Sequence, residues 1–294
     1  MTDIQAGEAS PPEALSIARA LTSAAACGVD RLDAQWMLEK LFGQSRAWLI
    51  AHDDSLLGED QRVRYTHWLS RRAAGEPLAY LFGEKEFQGL RLRVGPQVLI
   101  PRPDTETLVE WGLELLTGDL SVIEAPQVVD LGTGSGAIAL AIKHRCAGAA
   151  LTAVDISATA LEVARSNAMD LGLTVGLVRG SWWSALRGRR FDLALSNPPY
   201  IAPGDEHLAA LRHEPQIALV SGEHGLSDLH QIVDGASEHL TAGGWLLLEH
   251  GHDQAEAVRQ RLGVAGFEDV QTRLDPAGLE RCSGGRLGTS QLGR

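Results

Sequence analysis

The chain has 294 residues, 44% of them hydrophobic, and a formal net charge of −12. That length suits about two domains and a sizeable core, and the acidic balance argues against a surface that tracks nucleic-acid phosphates. No apolar run reaches the roughly 20 residues that span a membrane, and Met1 to Ser10 lacks the basic-then-apolar pattern of a signal peptide. Cys27, Cys146 and Cys282 are odd in number and scattered, which predicts reduced thiols in a cytoplasmic protein.

Residues 1–10 read as a disordered lead. Ser10-Pro11-Pro12-Glu13 reads as a helix start, with a capping residue, first-turn prolines and a capping-box acid. Helical periodicity then runs through Ala14, Ile17, Ala18 and Leu21 to Gly28, and returns over Ala34–Phe42, Ser45–Ala51 and Glu59–Ala74, where Gly75-Glu76-Pro77 stops it. Residues 11–76 are thus expected to form a small helical bundle with a recognition role, and Arg71 and Arg72 are expected to be solvated charges on its face. From 77 to 103 the pattern changes. Leu90–Val94 alternates with period two, Gly89 and Gly95-Pro96 supply turns, and Val98–Ile100 is another short run, so a connecting β-hairpin is expected. Pro101-Arg102-Pro103-Asp104-Thr105-Glu106 opens an amphipathic helix, with Asp104 and Glu106 as favourable first-turn charges.

From 104 to 294 strands and helices alternate. Val128–Leu131, Ala150–Val154, Val175–Val178, Phe191–Ser196, Trp245–Glu249 and Val270–Arg273 read as strands, with helices over 137–143, 157–171, 224–240 and 254–265. That alternation predicts an α/β, Rossmann-like parallel sheet with helices on both faces. Such sheets bind ligands at the carboxyl ends of their strands. Three features fall there: the glycine turn Gly132-Thr133-Gly134-Ser135-Gly136, the acid Asp155, and the turn Asn197-Pro198-Pro199-Tyr200. Glycines let backbone approach a ligand closely, and an acid ending the next strand can hold a ribose diol, which fits a dinucleotide as well as S-adenosylmethionine. The Gly-x-Gly-x-Gly spacing and Asp130 just before the turn, placed to order it or to meet an amino group, favour S-adenosylmethionine. Asn-Pro alone is a common loop signal. Here, however, the prolines end the ladder and leave the Asn197 and Pro198 carbonyls as acceptors beside the flat ring of Tyr200, a combination suited to a planar NH2 group.

Several segments together resemble one family. Val129 to Gly136 looks like motif I of class I methyltransferases, and Asn197 to Tyr200 like the motif of methyltransferases acting on amino or amide nitrogen. Gly83 to Phe87, Ile100 to Glu106, Leu248 to Gly251 and Gly278 to Arg281 resemble the release-factor glutamine methyltransferase family (PrmC/HemK type), over nearly the whole chain. The resemblance implies a class I methyltransferase sheet behind a helical bundle and hairpin. It also implies S-adenosylmethionine as methyl donor, S-adenosylhomocysteine as product and no metal. The substrate it implies is the glutamine of the Gly-Gly-Gln motif of class 1 peptide chain release factors. Carried over by position, Asp130, Gly132, Thr133, Gly134, Ser135, Gly136, Asp155, Trp182 and Asn197 match the cofactor site. Asn197, Pro198, Pro199 and Tyr200 match the amide site, with Asn197, Pro198 and Tyr200 catalytic. Many members have an acid just before the aromatic residue near the adenine. This chain has Ser181 there, a weaker acceptor, and Trp183 is expected to pack in the core. His250 and His252 are expected to be structural. A monomer is the default expectation, and the charge balance and hydropathy predict no stable nucleic-acid or membrane partner. The rival readings are a ribosomal-protein glutamine methyltransferase, a DNA or RNA adenine methyltransferase, and a silent cofactor-binding module.

Overall fold

The computed structural model describes residues 15–222 and 224–288. The expected lead over 1–10, the helix start at Ser10 and Ala14 lie outside the described residues. The chain divides into two compact units, Met1–Leu81 and Phe82–Arg294.

In the first unit, α1 (Ile17–Ala26) is capped by Ser16, whose side chain accepts from the Arg19 amide; the sequence reading had put that position inside the helix. α2 (Arg31–Phe42) starts at Asp30 and stops on Gly43 in the left-handed region, as an αL stop favours glycine. α3 (Arg46–Ala51), α4 (Glu59–Ala73) and α5 (Leu78–Phe82) complete the helices described for residues 15–82. Ile17, Met37, Leu38 and Tyr65 are fully or almost fully buried, and the Tyr65 hydroxyl donates to the Ala20 carbonyl at 2.8 Å. Arg71 and Arg72 are not solvated face charges. Arg71 Nε donates to Glu76 at 2.7 Å, because the Gly75 stop turns the chain and brings Glu76 back beside α4, and Arg72 Nε donates to Asp33 of α2 at 2.6 Å.

The second unit opens with an antiparallel hairpin, β1 (Glu84–Phe87) and β2 (Leu90–Arg93). The expected run Val98–Ile100 is no strand; it lies in an irregular segment that leads to α6 (Thr105–Thr117). A seven-stranded sheet follows, in the order β5-β4-β3-β6-β7-β9-β8. β3 (Gln127–Leu131), β4 (Ala150–Asp155), β5 (Gly176–Arg179), β6 (Phe191–Ser196) and β7 (Leu240–Glu249) are parallel. β8 (Phe267–Leu274) and β9 (Glu280–Leu287) are antiparallel, which corrects the expected all-parallel sheet. β9 inserts beside β7, so the last strand, not the one before it, extends the parallel core.

Strand residues sort by parity. Val128, Leu193, Leu195 and Leu247 pack with α6 and α7 (Ala137–Arg145), while Val129, Leu131, Ala194, Leu246 and Leu248 pack with α9 (Ser227–His239) and α10 (Ala255–Val264). This period-two division is what a strand covered on both faces requires. The chain leaves β3 toward β4 on one side and pairs with β6 on the other, so the sheet order reverses between β3 and β6. A crevice at that switch point is where such sheets take ligands. No helix among the described residues is long and apolar enough to cross a membrane.

Candidate functional site

The carboxyl ends of β3, β4 and β6 open onto a cavity of about 300 Å³. The glycine turn after β3 folds against β4: the Gly132 and Thr133 amides both donate to the Val154 carbonyl at 2.9 Å. Gly132, Gly134 and Gly136 all have positive φ, so each needs the freedom that glycine alone has. At Gly132 there is a second reason, since a Cβ would sit 3.0 Å from the Trp182 ring. Asp155 ends β4 and ties two segments together. Its Oδ2 accepts from the Gly134 amide at 2.9 Å and its Oδ1 from the Ser157 amide at 2.8 Å, opening α8 (Ala158–Leu171). Burial pushes the Asp155 carboxyl up, against the lowering effect of these amides.

Asp130 does not line the cavity. It lies fully buried beneath the turn, where Oδ2 accepts from the Thr133 hydroxyl at 2.6 Å and the Ala139 amide at 3.2 Å. Of the two roles open to it from sequence, this geometry supplies the ordering of the turn. Burial pushes its pKa to about 7, and Oδ1 has no hydrogen-bond partner among the described residues.

Trp182 lines the cavity beside Ser181. Its φ of +46° is a strained backbone state for a bulky residue, costing about 1–2 kcal/mol. The indole Nε1 donates to Asp228 Oδ1 at 3.1 Å, and a hydrogen bond to a charged group, worth about 1.5–3 kcal/mol, is enough to offset that cost. Trp183 turns the other way. It is buried, donates to the Ile232 carbonyl at 2.8 Å and stacks on His239.

The turn after β6 is built without donors at Pro198 and Pro199. Asn197 and Pro199 line the cavity, whereas Pro198 is buried behind them. No described residue donates a hydrogen bond to the Pro198 carbonyl. The Asn197 Nδ2 donates to the Thr105 hydroxyl at 3.1 Å, which assigns its Oδ1 to the open side. Tyr200 is not among the residues lining the cavity. Its hydroxyl donates to Glu249 Oε1 at 3.3 Å and its carbonyl accepts from Gln254 Nε2 at 3.0 Å. Gly225 passes so close to that carbonyl that a Cβ there would come within 2.1 Å of it.

The structure adds residues that the sequence reading gave no role at the site. Thr105 and Asp228 line the cavity, along with residues 97–99 and Pro215, Ile217 and Ala218. Glu214, almost completely buried, accepts from the Ile100 amide at 3.0 Å and pairs with Arg102, joining the two walls. Glu249 is fully buried, and burial pushes its pKa to about 7. Thr105 and Glu249 fall in the segments Ile100 to Glu106 and Leu248 to Gly251, which carry a resemblance but no assignable chemistry; Glu214 and Asp228 fall in neither. His250 is buried between the Gly251 carbonyl and Ser283 Oγ, each at 2.8 Å, and burial lowers its pKa. No group of His, Cys, Asp and Glu among the described residues is gathered as for a metal ion.

Residues 13–83 match the family model described as the PrmC N-terminal domain, and residues 105–214 match the methyltransferase small domain. The release factor glutamine methyltransferase of Bordetella pertussis is 49% identical over 263 residues, covering 88% of this chain and 96% of its own. The Burkholderia pseudomallei enzyme of the same name is 47% identical, with 88% and 93% covered, and that of Escherichia coli 42% identical, with 87% and 92% covered. Among solved structures, a methyltransferase from Pyrococcus furiosus superposes with a TM-score of 0.51 at 20% identity, over 74% of this chain and 99% of its own. The hMettl16 catalytic domain gives 0.55 at 15% identity, over 80% and 84%. At those identities the structural likeness speaks for the fold.

Proposed function

The chain belongs to the release factor glutamine methyltransferase family, and from that premise we propose that it methylates the side-chain amide of the glutamine in the Gly-Gly-Gln motif of class 1 peptide chain release factors. The methyl donor is S-adenosylmethionine and the product S-adenosylhomocysteine. One observation carries the reading: a glycine turn with Asp155 and a donor-free turn with an oriented Asn197 amide border the same cavity.

The residues fit the cofactor by charge and by shape. Asp155 and Asp228 are in the cavity wall, and no Lys or Arg is among the described residues lining it. That balance suits a cation and gives a pyrophosphate nothing to pair with. Asp155 keeps acceptor capacity on each oxygen for a ribose diol, Gly132 to Gly136 leave room against the turn, and Trp182 offers a flat apolar flank, with Ser181 at its edge. When bound, S-adenosylmethionine supplies an electrophilic methyl group on a sulfonium.

An amide nitrogen is a poor nucleophile because its lone pair is shared with the carbonyl. Asn197 Oδ1 and the Pro198 carbonyl accept its two hydrogens and favour the pyramidal nitrogen over the planar one. Stabilisation that grows toward the transition state raises rate. Holding the nitrogen in line adds to this, up to about 7–11 kcal/mol in the best-oriented systems. Pro199 bounds the pocket beside Asn197. Tyr200, held by Glu249 and Gln254, gives the turn its shape from outside the cavity wall. No strong base is needed, since the amide proton becomes acidic once the nitrogen carries the methyl. The sequence reading places this activity in the cytoplasm, in a monomer.

The test is methyl transfer from labelled S-adenosylmethionine to a purified release factor, with a Gln→Ala change in its Gly-Gly-Gln motif and an Asn197→Ala enzyme as controls. Label that disappears with either change is the expected result. Label on DNA or on a ribosomal-protein pool, and none on the release factor, would overturn the substrate assignment.

A further inference from the structure

Two tryptophans in succession have different tasks, and one acid governs the second. The short 3-10 turn Trp182–Ala185 sets both indoles against α9. Trp183 is the anchor. It is buried, its Nε1 donates to the Ile232 carbonyl at 2.8 Å, and Gly235 makes way for it, since a Cβ there would come within 2.4 Å of the ring. Trp182 is only half-buried and lines the cavity. Its Nε1 donates to Asp228 Oδ1 at 3.1 Å, and Asp228 lies in the first turn of α9, about one helical turn before Ile232.

The Trp182 ring is gripped at both ends. Its pyrrole nitrogen meets Asp228, while Cζ3 and Cη2 of the opposite edge lie against Gly132, where a Cβ would come 3.0 and 3.3 Å from them. Apolar contact with Gly132 limits how far the ring can move but sets no direction. The hydrogen bond does set one, since it weakens steeply as it bends. The backbone does not hold the ring by itself, because a φ of +46° is a state that such a residue keeps only when its surroundings impose it. Asp228 is itself fixed: its amide donates to the Ser221 hydroxyl at 2.9 Å, and Ser221 is 1% exposed.

Resting on the reading given under Proposed function, we propose that Asp228 is a positioning residue for the cofactor. It acts through Trp182, holding the indole at the angle that makes a flat wall for the adenine, and so sets the affinity for the methyl donor and for its product alike. The rival role for the same carboxylate is direct attraction of the sulfonium cation. The ligands separate the two. S-adenosylmethionine carries the positive sulfur and S-adenosylhomocysteine does not, while both carry the adenine. A charge effect therefore distinguishes the two ligands, and a positioned ring treats them equally.

Calorimetry measures the binding of both ligands to the full chain and to its Asp228→Ala, Asp228→Asn, Trp182→Phe and Trp182→Phe/Asp228→Ala variants. Asp228→Ala is expected to bind both roughly ten- to thirtyfold more weakly, as loss of a hydrogen bond to a charged group does, with the two losses within about threefold of each other. Asp228→Asn keeps an acceptor at Oδ1 and should stay within about fivefold of the parent. Trp182→Phe keeps a ring but has no N–H to hold, so in that background the added Asp228→Ala change should cost less than about twofold. The indole 15N–1H signal of Trp182, assigned by its loss in Trp182→Phe, should move in Asp228→Asn. A loss confined to S-adenosylmethionine, a loss of full size in the Trp182→Phe background, or an Asp228→Ala protein that binds both ligands within about twofold of the parent would overturn the proposal. If Asp228→Ala does not fold, the Trp182 signal in Asp228→Asn decides, and an unmoved signal overturns it. A parent that binds neither ligand sinks the functional reading and the proposal with it. A parent that binds both, without coupling between Asp228 and Trp182, sinks the proposal alone.

Discussion

The two turns that border the cavity leave adjacent, directly paired strands, since Leu131 of β3 lies beside Ser196 of β6 and the Ser196 hydroxyl donates to the Leu131 carbonyl at 2.7 Å. They open the end of the sheet in opposite ways. The glycine turn removes side chains, spends its amides on Val154 and Asp155, and so contributes room in a fixed shape. The proline turn removes donors and so leaves acceptors, the Pro198 carbonyl among them, that no described residue satisfies. Each also has a buried acid under it with one oxygen unpartnered, Asp130 below the first and Glu249 below the second. Asp130 holds its turn directly, through Thr133. Glu249 holds the far end of its turn, through the Tyr200 hydroxyl. Under the proposed function, binding falls to one turn and chemistry to the other.

Asn197→Ala is the hardest blow to that division. Loss of a preorganised charge-stabilising group costs about 10²–10³ in rate, and the loss should appear in kcat with a release factor, with cofactor affinity close to the parent. A loss under tenfold would mean that the acceptors are not what speeds transfer. Gly132→Ala is the mirror test. Its Cβ meets the Trp182 ring in a left-handed backbone state, a strain of about 1–2 kcal/mol, so calorimetry should show S-adenosylmethionine bound roughly tenfold more weakly while saturated kcat holds. A fall in kcat instead would erase the distinction between the two turns.

The buried acids predict a pH effect on stability. Both Asp130 and Glu249 titrate near 7 in the folded chain, above the carboxyl range of about 4 in an unfolded one. The native state therefore keeps protons that the unfolded state releases. Their contribution is fully present below about pH 4 and is lost as pH rises through about 7. Denaturant midpoints should show Glu249→Gln gaining on the parent between pH 5 and 8; parallel curves would remove Glu249 from the account. The smallest effect is expected from Pro198→Ala, which returns one N–H beside the acceptors without removing them. Its kcat should fall only a few-fold, on the order of one neutral hydrogen bond.

The parts legible in the sequence are those where a residue type is itself the device. Glycine and proline mark the two turns, and apolar runs mark β3, β4 and β6. β9 was missed because Arg281-Cys282-Ser283-Gly284-Gly285 has neither alternation nor β-branched residues. The structure gives the reason for one glycine, since a Cβ at Gly284 would come within 2.5 Å of the Leu247 side chain. Close packing against β7 is bought with the very residue that hides the strand. The hairpin was half read, because the charges of Glu84, Lys85 and Glu86 conceal the strand that pairs with Leu90–Arg93. At the site, Thr105, Asp228 and Glu249 lay too far apart along the chain to be linked. At the start of α6 the first-turn acids Asp104 and Glu106 carry the visible signal, while the hydroxyl between them is the group that touches Asn197.

Asn167, buried on α8, has a wider reach than its one side chain suggests. It accepts from the Arg93 amide at 2.7 Å, and it donates both to the Arg93 carbonyl at 3.1 Å and to the Ser135 carbonyl at 2.8 Å. A side-chain amide thus serves as a borrowed peptide group, continuing the edge of β2 and closing it onto the glycine turn. For slow opening motions, hairpin and turn then behave as one cooperative segment. Exchange of the Arg93 amide with solvent becomes a remote gauge of how firmly the turn is shut, readable from a strand that does not line the cavity.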